Sequence, residues 1–178
     1  PDTVYVGEQA TYQVGVFVSP DVREKLRRNP SFVPPALNAL MAYDRAGSRT
    51  PTARRRVGSQ CYDVLVYERP IFPLSAGRHE IPPAELNYAL SVGAGFFAGE
   101  ERRQAASNAV AIVALDPPAA GRPADYAGAV GALDVVASVD TQGLRVGDPL
   151  VLTMRVEGEG NVKLLPRPRV VVPWATLV

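Results

Sequence analysis

Cys61 and His79 are the only thiol and the only imidazole in this chain of 178 residues, so nucleophile–base chemistry of that kind has to run through them. A working pair needs the two within hydrogen-bond reach, with a third group orienting the ring. No nucleophile motif surrounds Cys61, and "SQCYDV" reads as ordinary strand sequence. The expectation is a small buried cysteine and a surface histidine beside a turn, with no catalytic residue and no enzymatic activity. A structural zinc site needs four ligands, which one Cys and one His cannot supply, and no carboxylates cluster at ligand spacing. "SVGAGFFAG" and "GAVGALDVV" lack the strand–GxGxxG–helix setting of a dinucleotide site, and no Walker lysine follows them. No metal and no cofactor are expected.

The other candidate chemistry is charge. Between Asp21 and Arg56 the chain carries Arg27, Arg28, Arg45, Arg49 and the triplet Arg54, Arg55 and Arg56, against only Asp21, Glu24 and Asp44 as acids. Such a concentration can meet phosphates, lipid headgroups or an acidic protein face. Aromatics are not interleaved with these arginines, which argues against a stacking platform for nucleic acid. The net charge is only +1, so no global field favours nucleic acid or a membrane surface. These seven arginines are the candidate partner contact, with Arg54–Arg56 docking an acidic face. The rival uses are anion or polysaccharide binding by the same side chains, or a merely solvated loop.

The elements that must position these residues are strands. Fifteen glycines and 17 prolines, well above average usage, suit many short strands joined by turns. The even positions from Ala10 to Val18 are apolar, the two-residue period of a half-buried strand. Further strands are expected over Tyr62–Phe72 and Leu86–Val92. Ala105–Leu115 reads as one closing strand, buried on both faces. Leu133–Val139, Leu150–Val156 and Val162–Val172 follow as a second set. "VREKLRRN" reads as a helical turn or two. "PALNALMA" reads as a helical face carrying Leu37, Leu40 and Met41 behind a first-turn proline.

One pattern occurs twice. With "VYVGEQATYQVGVFV" laid on "LRVGDPLVLTMRVEG", Gly7 falls on Gly147, Glu8 on Asp148, and Ala10, Tyr12, Val14 and Val16 fall on Leu150, Leu152, Met154 and Val156. Each copy reads as the same strand–turn–strand corner of a β-domain. The fold class that follows is all-β, with tandem immunoglobulin-like β-sandwich domains and a short helical insertion in the first. Domain one spans 1–117 with a basic insertion at about 21–58, a Pro/Gly linker spans 118–128, and 129–178 is the N-terminal part of a second domain. Such a sandwich needs about 100 residues and seven strands, so the second is incomplete, and its unpaired edge leaves self-association open. No apolar run approaches the ~20 residues of a membrane span, and the chain opens without a basic and apolar leader.

In order along nearly the whole chain, "YVGEQATYQVGVFV", "PSF", "YERPIFPLSAGRHEIPPAELNYAL", "RRQAASNAVAIVAL", "GRPADYAGAVGALDVVASVD", "LRVGDPLVLTMRVEGEGN" and "LLPRP" resemble the BatD family, the "oxygen tolerance" proteins of the bacterial envelope. "NPSFVPPALNALMAYD" departs from the family in lacking a tryptophan shortly after the Pro-x-Phe. The resemblance implies tandem immunoglobulin-like domains in the periplasm, or at the extracytoplasmic face of the inner membrane, anchored by segments outside these residues. It implies von Willebrand A-domain membrane proteins as partners, a MoxR-type ATPase acting indirectly, and a role in aerotolerance or envelope stress. It supplies no catalytic residue.

Overall fold

The computed structural model describes residues 3–43, 51–93, 99–140, 143, 145–168 and 170–176 and divides into two units, Pro1–Pro117 and Pro118–Val178. The fold is all-β. Among the described residues of the first unit the strands are β1 (Thr3–Tyr5), β2 (Ala10–Val18), β3 (Ser31–Val33), β4 (Leu40–Ala42), β5 (Pro51–Val57), β6 (Gln60–Pro73), β7 (Gly77–Ile81), β8 (Glu85–Val92), β9 (Gly99–Ala106) and β10 (Val110–Leu115), with one short helix, α1 (Pro20–Lys25). They form three sheets: β1-β10-β7, β3-β8-β9, and a sheet centred on β6 with β2 along one edge and β4 and β5 along the other.

The alternation in β2 does what its period requires. Ala10, Tyr12 and Val18 are buried, Val14 and Val16 half-buried, and Thr11 and Gln13 exposed. The buried face meets Ile71 (2% exposed), Leu40, Val4, Ile81 and Ile112, residues drawn from the β6 sheet and the β1-β10-β7 sheet together. Phe72 beside them is 1% exposed, and full burial of such a side chain contributes about 1.5–3 kcal/mol. The third sheet meets the β6 sheet through Phe32 on β3, whose ring stacks on Tyr67 of β6 at 4.2 Å.

The chain changes sheet between β1 and β2. β1 runs parallel to β10, with Tyr5 opposite Leu115; two residues later the Gly7 N–H donates to the Pro73 carbonyl at the end of β6 (2.8 Å), while the Val6 N–H holds Leu115 (2.8 Å). Gly7 has φ 82°, the left-handed conformation that a side chain disfavours. The Glu8 N–H closes the turn on the Tyr5 carbonyl (2.9 Å), and the Glu8 carboxylate accepts the Tyr5 N–H (2.7 Å). The second copy of the motif repeats this bonding. The Asp148 N–H donates to the Arg145 carbonyl (3.0 Å), the Asp148 carboxylate accepts the Arg145 N–H (2.8 Å), and Gly147 has φ 99°. The acid one place after the glycine is thus the closing residue of the turn in both copies.

Several expectations change. "PALNALMA" is not helical. Ala39 sits at φ 56°, which no α-helix accommodates, and Leu40 enters the core as β4 by pairing with Pro73. The helix in "VREKLRRN" is confined to α1, capped by the Ser19 hydroxyl, which accepts the Val22 N–H (3.4 Å). The basic stretch at 21–58 is accordingly not a mere connection, since β3, β4 and β5 lie in it and join two sheets. Ala105–Leu115 is two strands, parted where the Ser107 hydroxyl accepts the Ala84 N–H (3.0 Å). β10 buries one face only: Ile112 and Ala114 are buried, whereas Ala111 and Val113 on the other face are half-buried and Leu115 is exposed.

In the second unit β11 (Gly131–Val139) and β12 (Leu152–Gly160) form an antiparallel ribbon. β12 begins two residues later than Leu150. The described residues of 162–172 are a 3-10 turn (Val162–Leu164) followed by irregular chain, where Pro166 and Pro168 cannot donate to a ladder. At the ribbon's open end the backbones come very close: a Cβ on Gly158 would lie 2.1 Å from the Ala132 carbonyl oxygen, and one on Gly131 2.2 Å from that of Glu159. Asn161 closes this end. It is 3% exposed, its amide nitrogen donates to the Gly128 carbonyl (2.8 Å) and its amide oxygen accepts the Val130 N–H (3.0 Å).

Asn161→Ala leaves that N–H and carbonyl without their partner and is expected to cost about 1–3 kcal/mol, measured by denaturant melts of the second unit. Tyr12 offers a test by pH. Burial raises its phenol pKa, partly offset by a hydrogen bond with Ser107, so the folded state favours the neutral phenol. Its contribution is complete below the ordinary tyrosine pKa of about 10 and is lost as pH rises above it. Tyr12→Phe should flatten that alkaline loss in thermal melts.

Candidate functional site

Cys61 is exposed rather than buried. β2 covers β6 only from Asp63 to Ile71, so Cys61 lies beyond its reach and pairs only with Arg56 of β5. His79 lies on β7 opposite Ile112, and its Nε2 is 2.7 Å from the Ser75 carbonyl oxygen. Thiol and imidazole therefore belong to different sheets, and the ring is engaged by backbone. Among the described residues no group of three His, Cys, Asp or Glu is placed to hold a metal ion.

Arg54–Arg56 do not sit on a loop. They form the end of β5, which closes on β6 through a two-residue turn with Gly58 at φ 63°. Successive strand residues point to opposite faces, so the triplet is divided: Arg54 and Arg56 are opposite Asp63 and Cys61, while Arg55 is opposite Tyr62. Arg54 Nε lies 3.3 Å from Asp63 Oδ1, and Arg23 of α1 reaches the other oxygen of the same carboxylate. One acid thus gathers two guanidinium groups from distant parts of the sequence.

Arg28 belongs to a second such group. Its Nη2 lies 2.6 Å from Glu100 Oε1 on β9, and Arg102 Nε lies 3.7 Å from the same oxygen. Arg103, next along β9, pairs with Glu101 at 3.0 Å, and that contact raises the guanidinium pKa above its usual value. Arg27 is exposed and is tied by its backbone N–H to the Ala89 carbonyl (3.2 Å). Arg45 and Arg49 lie outside the described residues. Between the Arg28 segment and β9 an open groove of about 550 Å³ crosses the β3-β8-β9 sheet. Its floor includes a row of direct strand partners, Ser31, Asn87 and Gln104, on the face opposite Phe32 and Leu86.

Arg23, Asp63, Glu100, Glu101, Arg102 and Arg103 are the members of these groups that sequence reading passed over. "GEERRQAA" carries no apolar alternation, because β9 is exposed along its whole length. The alternation of acid and base two residues apart was the only available signal. No protein-family model matches the chain, and no curated protein or solved structure does either.

Two predictions follow from exposure. Native chain should take up a thiol reagent at Cys61 as completely as denatured chain, read by mass spectrometry. Asp63→Asn should change stability by no more than about 1 kcal/mol, because the Arg23 and Arg54 side chains are 60% and 79% exposed and solvent screens such pairs, while freeing both for solvent.

Proposed function

We propose that the chain is a non-enzymatic, extracytoplasmic protein-interaction module of the BatD kind, built of immunoglobulin-like sandwiches. Three observations support the sandwich reading: the switch of sheet at Gly7, a device of sandwich corners; the sheet-to-sheet stacking of Phe32 on Tyr67; and the second copy of the turn at Gly147. The ordered run of BatD-like segments supports the family. On that reading the partners are von Willebrand A-domain membrane proteins, with a MoxR-type ATPase acting indirectly in an aerotolerance or envelope-stress system.

The observation that carries the binding role is the pairing of Arg23 and Arg54 on one carboxylate, Asp63. Two cations against one anion leave an uncompensated positive charge around Asp63, whose strand β6 is paired at both edges there, ready for an acidic partner face. Charge complementarity of this sort governs encounter and specificity more than raw affinity. Arg54→Glu with Arg56→Glu should weaken capture of a von Willebrand A-domain partner by about tenfold, equivalent to about 1.4 kcal/mol, and flatten its dependence on salt. Unchanged affinity removes β5 from the interface. Binding of isolated anionic polysaccharide in the absence of any protein favours the polysaccharide reading instead.

A further inference from the structure

We propose that the groove across β3-β8-β9 is a second binding site, for an extended acidic peptide segment of a partner protein. It rests on the reading of the chain as an interaction module but uses a surface other than Arg54 and Arg56. At about 550 Å³ the groove falls within the roughly 300–1,000 Å³ of ordinary ligand sites. Apart from Tyr88 its lining residues carry polar side chains: Arg28 borders one side and Arg102 of β9 the other, with Asn87 and Gln104 between, while Arg103, next to Arg102 on the strand, points to the opposite face. Arg28 and Arg102 share the single Glu100 carboxylate at the rim, which leaves one positive charge in excess to complement negative charge, and the planar guanidinium fork fits a carboxylate in particular.

The chain already displays the contact. Glu100 at the rim is shared by Arg28 and Arg102. Arg28 and Arg102 thus already grip a carboxylate presented by an extended strand, as an extended acidic peptide would present one. Both pairs are exposed, and exposed pairs are weak, so an incoming carboxylate can exchange with Glu100 at little cost. Side-chain amides such as Asn87 and Gln104 carry both a donor and an acceptor, which matches peptide backbone. β9 is also the outer strand of its sheet among the described residues, open to main-chain pairing with an added strand. Only one aromatic, Tyr88, lines the groove, a sparse stacking surface for a sugar chain.

The test is fluorescence anisotropy on the whole chain, using a labelled glutamate-rich peptide, its glutamine counterpart and an oligogalacturonate that carries the same carboxylates on sugars. The acidic peptide is expected to bind, with affinity falling as salt rises, and the glutamine peptide is not. Arg28→Gln with Arg102→Gln should lower affinity by about tenfold at an unchanged melting temperature. Glu100→Gln should raise it, because it releases Arg28 and Arg102; a purely structural role for these arginines gives no such gain. Absence of peptide binding, retained affinity in the double variant, no gain from Glu100→Gln, or tighter binding of the oligogalacturonate would each overturn the proposal. None of these results touches the β5 interface, which is read separately by partner capture.

Discussion

The first unit depends on the turn at Tyr5–Glu8. A strand that belongs to the β1-β10-β7 sheet has to leave it and continue in the β6 sheet, and the hydrogen bonds of Val6 and Gly7, to Leu115 and Pro73, fasten the turn to both sheets at once. Only a residue free of steric cost at positive φ can occupy the Gly7 position. Once this corner is set, β2 is delivered with its even side chains inward, and Val4, Tyr12, Ile71, Ile81 and Ile112 meet in one core. Glu8 locks the corner with its own side chain. An acid two places before a strand is therefore part of the fold and not a surface ornament.

The parts of the fold legible in the amino-acid order are those whose pattern and burial agree. β2, β6 and β8 each set buried positions against a partner sheet, and their apolar periods show it. Where neighbouring strands decide the matter, order alone misleads. Leu37, Leu40 and Met41 have helical spacing, yet the free edge of β6 at Ile71–Pro73 recruits Leu40–Ala42 as a strand. β9 has no apolar face to read. The Val162–Val172 stretch has strand-like residues, but its prolines withhold the donors that a ladder needs.

The candidate site divides in the same way. Arginine-rich composition marked Arg27, Arg28 and Arg54–Arg56, but composition cannot say which acids lie across a sheet from them. Asp63 comes to Arg54 through hairpin register and to Arg23 through the placing of α1, while Glu100 reaches Arg28 across β8. Strand geometry then separates a triplet that looks continuous when written as letters. The charges consequently form two centres, each with an acid at its hub. They sit on β5 and β9, outer strands whose charged side chains also discourage unwanted edge pairing.

The ribbon of the second unit has a mechanical consequence. β11 is entered at Gly131 and β12 is left at Gly160, and these two residues face each other. Tension carried along the chain would thus pull both strands from the same end and part their hydrogen bonds one after another, as a zip opens, instead of loading them all in shear. Asn161, which ties the incoming backbone at Gly128 and Val130 to the end of β12, stands where that tear would start and acts as its latch.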